Sequence, residues 1–312
     1  MMKAMAQETA ADVGPDKWDG GPEQVDSSLF REIEACAGKW AIEAGERLSA
    51  RARELLHVEY KGGSHSNPVS EADREAEEFL FHAVTHHFPD HSVIGEEGRD
   101  PGRAGAPIVW VIDPLDGTSN YLNGLAIWSV SIGVLWYGVP VAGAIYAPLG
   151  VSGEPALFSA RKGGGARLNG HPIGVDPATE LRPSRLACLP EVYQRELERR
   201  REARGRPEVR TLGSIALELA LTACGALQFS AFWIPRIWDV AAGVSLVLEG
   251  QGCVLQRPER EQPWQRLQTF EAPPGLALRK WHGAIIAANE PLALDLTERV
   301  QAGREPFVPR PS

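Results

Sequence analysis

From Ser28 to about Leu55 apolar side chains recur every three or four residues, at Leu29, Ile33, Ala37, Trp40, Ala44 and Leu48, which predicts a long amphipathic helix. A polar loop, "KGGSHSNPVS", follows. Ser70 opens a second predicted helix, with Ala72, Ala76, Phe79, Leu80 and Ala83 on one face and an end near Phe88 and Pro89. The pattern then becomes strand-like. Ile108 to Ile112 is a short continuous apolar run, and "WSVSIGVLW" and "PVAGAIYAP" are two further strand candidates. "ALFSARKGGGARLNGHPI" reads as strand, glycine turn, strand.

A second half begins near Leu181. There "SRLACL" reads as a strand, Glu191 to Arg204 as a charged helix and "SIALELALTACGAL" as an apolar helix. "QFSAFW" is a strand, "WDVAAGVSLVLEGQG" a helix ended by glycine, "GAIIAANEP" a late strand, and Leu292 to Gln301 the last helix. Gln256 to Arg279 has no clean period and reads as a long loop. The pattern predicts a mixed α/β (α+β) protein: a tail over residues 1–27, an α+β unit over 28–180, an α/β unit over 181–302 and a short tail over 303–312.

Composition adds limits. With 43% hydrophobic and 23% charged residues the 312-residue chain is ordinary globular material. Its net charge of -9 argues against nonspecific nucleic-acid or membrane-surface binding. Seven arginines between Arg195 and Arg210 are interrupted by Glu196, Glu198 and Glu202, which favours a solvated helix face over a nucleic-acid patch. The four cysteines, Cys36, Cys188, Cys224 and Cys253, lie far apart and read as core residues in a reducing compartment. No stretch has the apolar length of a secretion signal or membrane span, so a cytoplasmic protein is expected.

The candidate chemistry lies in "WVIDPLDGTSNYLNG", Trp110 to Gly124. A strand delivers Asp113, Pro114 stops its ladder, and the chain turns so that the Leu115 carbonyl and Asp116 come beside Asp113. Gly117 leaves room for close approach. Thr118 is placed to cap a following helical turn whose free N–H groups suit a phosphate. Two carboxylates at one strand end repel and protonate unless a cation lies between them, and Mg²⁺, a hard ion with oxygen ligands, suits them. Further oxygen ligands are offered by Glu96 and Glu97 in "VIGEEG", by Asp73 in the first turn of the second helix, and by Asp239 at the start of another. Taken singly, each has a bland alternative: solvated loop charges, dipole-favouring helix acids, or a plain Asx turn at Asp113.

Together and in order, "NPVSEADREAEE", "FPDHSVIGEEG", "WVIDPLDGTSNYLNG" and "WDVAAG" resemble the inositol monophosphatase family of Mg²⁺-dependent, lithium-sensitive phosphomonoesterases; "GGGARLNGHPI" and "GAIIAAN" agree. The resemblance implies a five-layered αβαβα sandwich, a homodimer, and a site between the halves. It implies that Glu96, Asp113 and the Leu115 carbonyl hold one Mg²⁺ ion, that Asp113, Asp116 and Asp239 hold a second, and that Glu96 touches a third. It further implies that Asp73 and Thr118 orient the attacking water. Lys61, Asp116, Gly117, Thr118, Gly213 and Ser214 would face a small phosphorylated substrate, with no nucleic-acid or membrane partner. Four carboxylates against two dications leave a site able to accept a phosphate dianion.

One departure bears on substrate. Inositol-specific members carry a glutamate seven residues before the acid of the tryptophan-aspartate pair, and here that position is Phe232. Phosphatases for 3'-phosphonucleotides, histidinol phosphate or fructose bisphosphate share the metal core and remain alternatives, as does a noncatalytic protein of the same fold. Arg236 is either a partner for a second anionic group or a solvated cation. Trp264 and Trp281 are expected to pack in the ordinary way, and His86 and His87 carry no chemistry.

Overall fold

The computed structural model describes residues 27–55, 68–96, 98, 105–190, 207–271 and 277–301. The expected tails, the helix over 191–204, Lys61 and Glu97 lie outside these residues. Two long helices open the fold, α1 (Ser27–Leu55) and α2 (Pro68–His87). The second begins two residues before Ser70, because proline is preorganised for the first helical position. Asp73 therefore sits in the second turn of α2, not the first.

Seven strands follow in one sheet: β1 (Ser92–Gly95), β2 (Ile108–Asp116), β3 (Ser129–Trp136), β4 (Val139–Ala147), β5 (Ala156–Arg161), β6 (Gly165–Leu168) and β7 (His171–Ile173). Their order is the chain order; β1 and β2 are parallel and every later pair is antiparallel. A short helix, α3 (Thr118–Leu122), separates β2 from β3. The second sheet comprises β8 (Leu186–Cys188), β9 (Glu208–Arg210), β10 (Leu227–Phe232), β11 (Cys253–Arg257), β12 (Gln265–Arg266) and β13 (Ala284–Ala288), in the order β12-β11-β13-β10-β8-β9. The helices of this half are α4 (Ile215–Ala223), α5 (Ile237–Glu249) and α6 (Glu290–Gln301).

Three apolar clusters define five layers. Trp110, Ile112, Ile132 and Val134 face α1 and α2, while Val111, Leu135 and Ile145 on the opposite face of the same sheet meet α4 and α5. The inner face of the second sheet, with Ile285 and Ala287, closes that middle core. Its outer face, with Phe229, Leu255 and Ile286, packs on Leu292 and Leu296 of α6. This is the αβαβα sandwich. Strands buried on both faces lose alternation, which is why β2 to β4 read as continuous apolar runs.

Two glycines fix how close α5 lies to the first sheet. A Cβ on Gly133 would stand 2.6 Å from Ala241 Cβ, and one on Gly143 2.5 Å from the Ala242 carbonyl oxygen. Only bare backbone permits that approach, and it brings the start of α5 toward the end of β2.

The stretch Gln256 to Arg279 is not a featureless loop. It begins within β11, which pairs with β13, contains β12, and ends in a 3-10 turn at Leu278–Lys280. A two-residue hairpin partner is too short to show a period. Trp281 packs edge-on against Phe270 at 4.9 Å, and the Arg257 guanidinium lies 4.8 Å from the Trp264 ring, so both tryptophans are packing residues. All four cysteines are free thiols.

Candidate active site

The strand does not stop at Pro114. β2 continues to Asp116 through a bulge, so that Asp113 pairs with Ser131 and Asp116 with Ser129: three residues on one strand span two on the other. A bulge tolerates the missing proline N–H and re-aims the side chains beside it. Asp113 Oδ1 accepts a hydrogen bond from Leu115 N at 3.0 Å, an Asx turn within the strand end. The local turn and the acid pair are thus one device.

Gly117 has φ 93°, and a Cβ there would lie 3.0 Å from the Ile127 carbonyl oxygen and 3.2 Å from that of Gly213. Glycine alone satisfies both limits. Gly117 is also the cap residue of α3, so Thr118 stands inside the helix and does not cap it. The Thr118 hydroxyl instead donates to the Leu115 carbonyl at 3.0 Å.

The turn is tied to the second half of the chain. Asn120 Nδ2 donates to the carbonyls of Ile127 and Leu212, both at 2.7 Å. Asp116 receives four donors: the Ser214 hydroxyl at 2.5 Å, Ala216 N at 2.8 Å, Ile215 N at 3.3 Å and the Ser129 hydroxyl at 3.3 Å. It therefore sits on the N-terminus of α4, where free N–H groups favour a carboxylate. Gly213 has φ 80° and turns the chain into that helix.

Asp239 is the third residue of α5 and accepts Arg236 N at 2.7 Å through Oδ2. Burial pushes its carboxyl up to about 7; the Arg236 N–H opposes this, and the charges of Asp116 and Glu96 add to it. Asp113 is held well above the usual carboxylate range, first by burial, then by Asp116, Glu96, Asp239 and Asp73. Asp116 is also raised by burial, despite its four donors. Every expected acid outside the undescribed stretches thus acts on Asp113. Asp73 is buried in α2 and Glu96 is exposed at the end of β1.

Convergence stops short of closure. Among the described residues no three acids form a group ready to hold an ion as they stand. Asp113, Asp116 and Asp239 each place at least one oxygen on a donor of the chain. The donor set nevertheless fits a hard dication. It is all oxygen, it is largely buried, and Asp113 Oδ2 and Asp239 Oδ1 are engaged by no donor among the described residues. Like charges crowded in low dielectric are costly without a cation.

Two residues escaped the sequence reading. Glu218, in the first turn of α4, accepts Leu212 N at 2.8 Å and Gly213 N at 3.1 Å through Oε1, and burial raises its carboxyl to about 7. Its one signal was an acid inside the apolar run "SIALELAL". Arg279 donates to the carbonyls of Gly95 and Glu96, a contact that no local pattern encodes. Phe232, by contrast, is only 6% exposed and joins the core between the sheets, while Ile234 just after it is 55% exposed. Phe232 therefore lacks the missing glutamate's hydrogen-bonding groups and does not replace it as a lining residue.

Comparison with known proteins gives concordant results. A family model described as the inositol monophosphatase family matches residues 30–301. An inositol-1-monophosphatase of Synechocystis is 33% identical over 224 residues, covering 68% of this chain and 75% of the relative. Inositol monophosphatase 1 of Solanum lycopersicum is 35% identical over 68% of this chain and 80% of its own length. Among solved structures, the inositol monophosphatase of Anabaena matches with a TM-score of 0.68 and 28% identity, covering 89% of this chain and 98% of that one. The SuhB protein of Bartonella henselae matches with a TM-score of 0.67 and 26% identity, over 86% and 98%.

Proposed function

Because the chain belongs to the inositol monophosphatase family, whose members are metal-dependent phosphoric monoester hydrolases, we propose that it hydrolyses a small polyol or sugar phosphate, such as an inositol monophosphate, with Mg²⁺. The observation that carries this reading is the field at Asp113, which four other acids oppose, one from its own strand and three from separate elements. Glu96, Asp113, the Leu115 carbonyl, Asp116 and Asp239 would hold two Mg²⁺ ions, with Glu96 reaching a third. When bound, such ions supply a water acidic enough to attack at neutral pH and positive charge for the departing oxygen.

The chain's own groups do the rest. The first N–H groups of α3 have no intrahelical partner and face the phosphate, with Gly117 keeping side-chain bulk away. Thr118, its proton committed to Leu115, keeps hydroxyl lone pairs for a water. Asp73, a buried carboxylate of α2, accepts that water's proton. Asp116 holds the buried Ser214 and the α4 N-terminus in register with the turn, so the exposed Gly213 borders the alcohol portion of the substrate.

The missing glutamate and the exposed Arg236 beside Asp239 favour leaving groups broader than inositol. A 3'-phosphonucleotide, histidinol phosphate or fructose bisphosphate is the second reading. We assign the working unit to a cytoplasmic homodimer. Leu122, Leu125, Leu149 and Val151 are exposed, and Leu125 lines a cavity of about 700 Å³; such exposed apolar surface suits a second copy. No helix of the described residues is long and apolar enough to cross a membrane. The test is phosphate release from a panel of these esters, with and without EDTA. Full turnover after chelation defeats the metal reading, and equal low turnover on every inositol phosphate removes that substrate.

A further inference from the structure

Arg279 belongs to the 3-10 turn Leu278–Lys280, on the far side of the sequence from β1. Its Nη2 donates to the Gly95 carbonyl at 2.6 Å and to the Glu96 carbonyl at 2.5 Å. The same guanidinium lies 5.1 Å from the centre of the Trp238 ring. Gly95 is the last residue of β1, in the first sheet, and Trp238 directly precedes Asp239 in the first turn of α5. One side chain therefore grips the backbone of Glu96 and the neighbour of Asp239 at once.

This matters because Glu96 is the exposed member of the acid set, at the end of a four-residue edge strand, and Asp239 comes from another layer. A multidentate ion site needs its carboxylates at fixed separation, and each ligand left loose must be ordered when the ion binds. Guanidinium suits this double contact. Its planar fork donates at the edge while its face stacks on an indole, and it stays charged beside the acids. An ammonium can donate but cannot do both in one plane.

We propose that Arg279 is a positioning residue which, by clamping the Glu96 backbone against Trp238, fixes Glu96 relative to Asp239 and so sets the affinity of the site for divalent ions. The inference rests on the metal reading above. It assigns to the late loop a role in the reaction that no ligand motif marks.

The test compares wild type, Arg279→Lys and Arg279→Ala. Mg²⁺ binding is measured by titration calorimetry and Mn²⁺ binding by electron paramagnetic resonance, beside unfolding temperatures in EDTA and phosphate release against Mg²⁺ concentration. Arg279→Ala is expected to weaken ion binding about tenfold, the size usual for groups that orient metal ligands, with kcat at saturating Mg²⁺ near wild type. Arg279→Lys recovers part of the affinity, and carries the test alone if the alanine variant does not fold. A purely structural contact would lower the unfolding temperature and leave ion affinity unchanged in both variants, which overturns the inference. Metal-dependent wild type with unchanged variants defeats this inference alone; wild type that binds no ion defeats the metal reading with it.

Discussion

Asp113 and Asp116 are three residues apart on one strand end, both buried, and opposite in circumstance. Asp116 accepts four hydrogen bonds and caps a helix, whereas Asp113 accepts one and meets the charge of four other acids. The first carboxylate is held by the fold itself, whatever its part in the proposed chemistry. The second has no structural partner that would justify its charge, and its ionised form makes sense only beside a cation.

The largest expected effect removes that charge. Asp113→Asn should lower kcat/KM by about a thousandfold or more, several kcal/mol of lost ion-borne stabilisation, and should raise the unfolding temperature in EDTA because a carboxyl that burial and four other acids disfavour is replaced by a neutral amide. Loss of activity without that gain would mean Asp113 is not the focus of repulsion. Asp116→Asn should lose activity as well but destabilise the metal-free protein, by about 2 to 3 kcal/mol, since an amide cannot accept from all four donors. The opposite signs in EDTA are the sharpest check on the contrast, and thermal melts read them directly.

Next in size is Ser214→Ala, which removes the shortest bond to Asp116 and should cost about 1.5 kcal/mol in urea denaturation. A further check is pH dependence. Asp239 and Glu218 have folded pKa values near 7, above their ordinary range, so their favourable contribution is complete below the ordinary carboxylate pKa and is lost as pH rises through about 7. Metal-free protein should therefore be less stable at pH 8 than at pH 5. Saturating Mg²⁺ should flatten the part owed to Asp239 and leave the part owed to Glu218. A metal-free stability that climbs from pH 5 to pH 8 would refute these shifts.

Legibility along the chain followed the range of each interaction. The helix stripe of α1, the apolar runs of β2 to β4 and the turn at Asp113 to Gly117 arise from neighbours in sequence, and pattern alone exposed them. The missed features share the opposite property. β11 exists because β13 offers it a partner and β12 because β11 does, Thr118 turns inward because Leu115 O is within reach, and Phe232 is core because α4, α5 and β13 enclose it. Glu218 was visible only as an acid in an apolar run, and Arg279 not at all.

By itself the sequence determined the layers and the donors: periodicity sets which faces are apolar, and the spacing of acids around Pro114 and Gly117 sets what a strand end can present. Only the tertiary structure decided which carboxylate is satisfied and which is exposed to its peers. Hydrogen bonds from α4 and charges from α2, β1 and α5 reach Asp113 and Asp116 from distant parts of the chain, and such energies depend on distance in space, to which local order is blind.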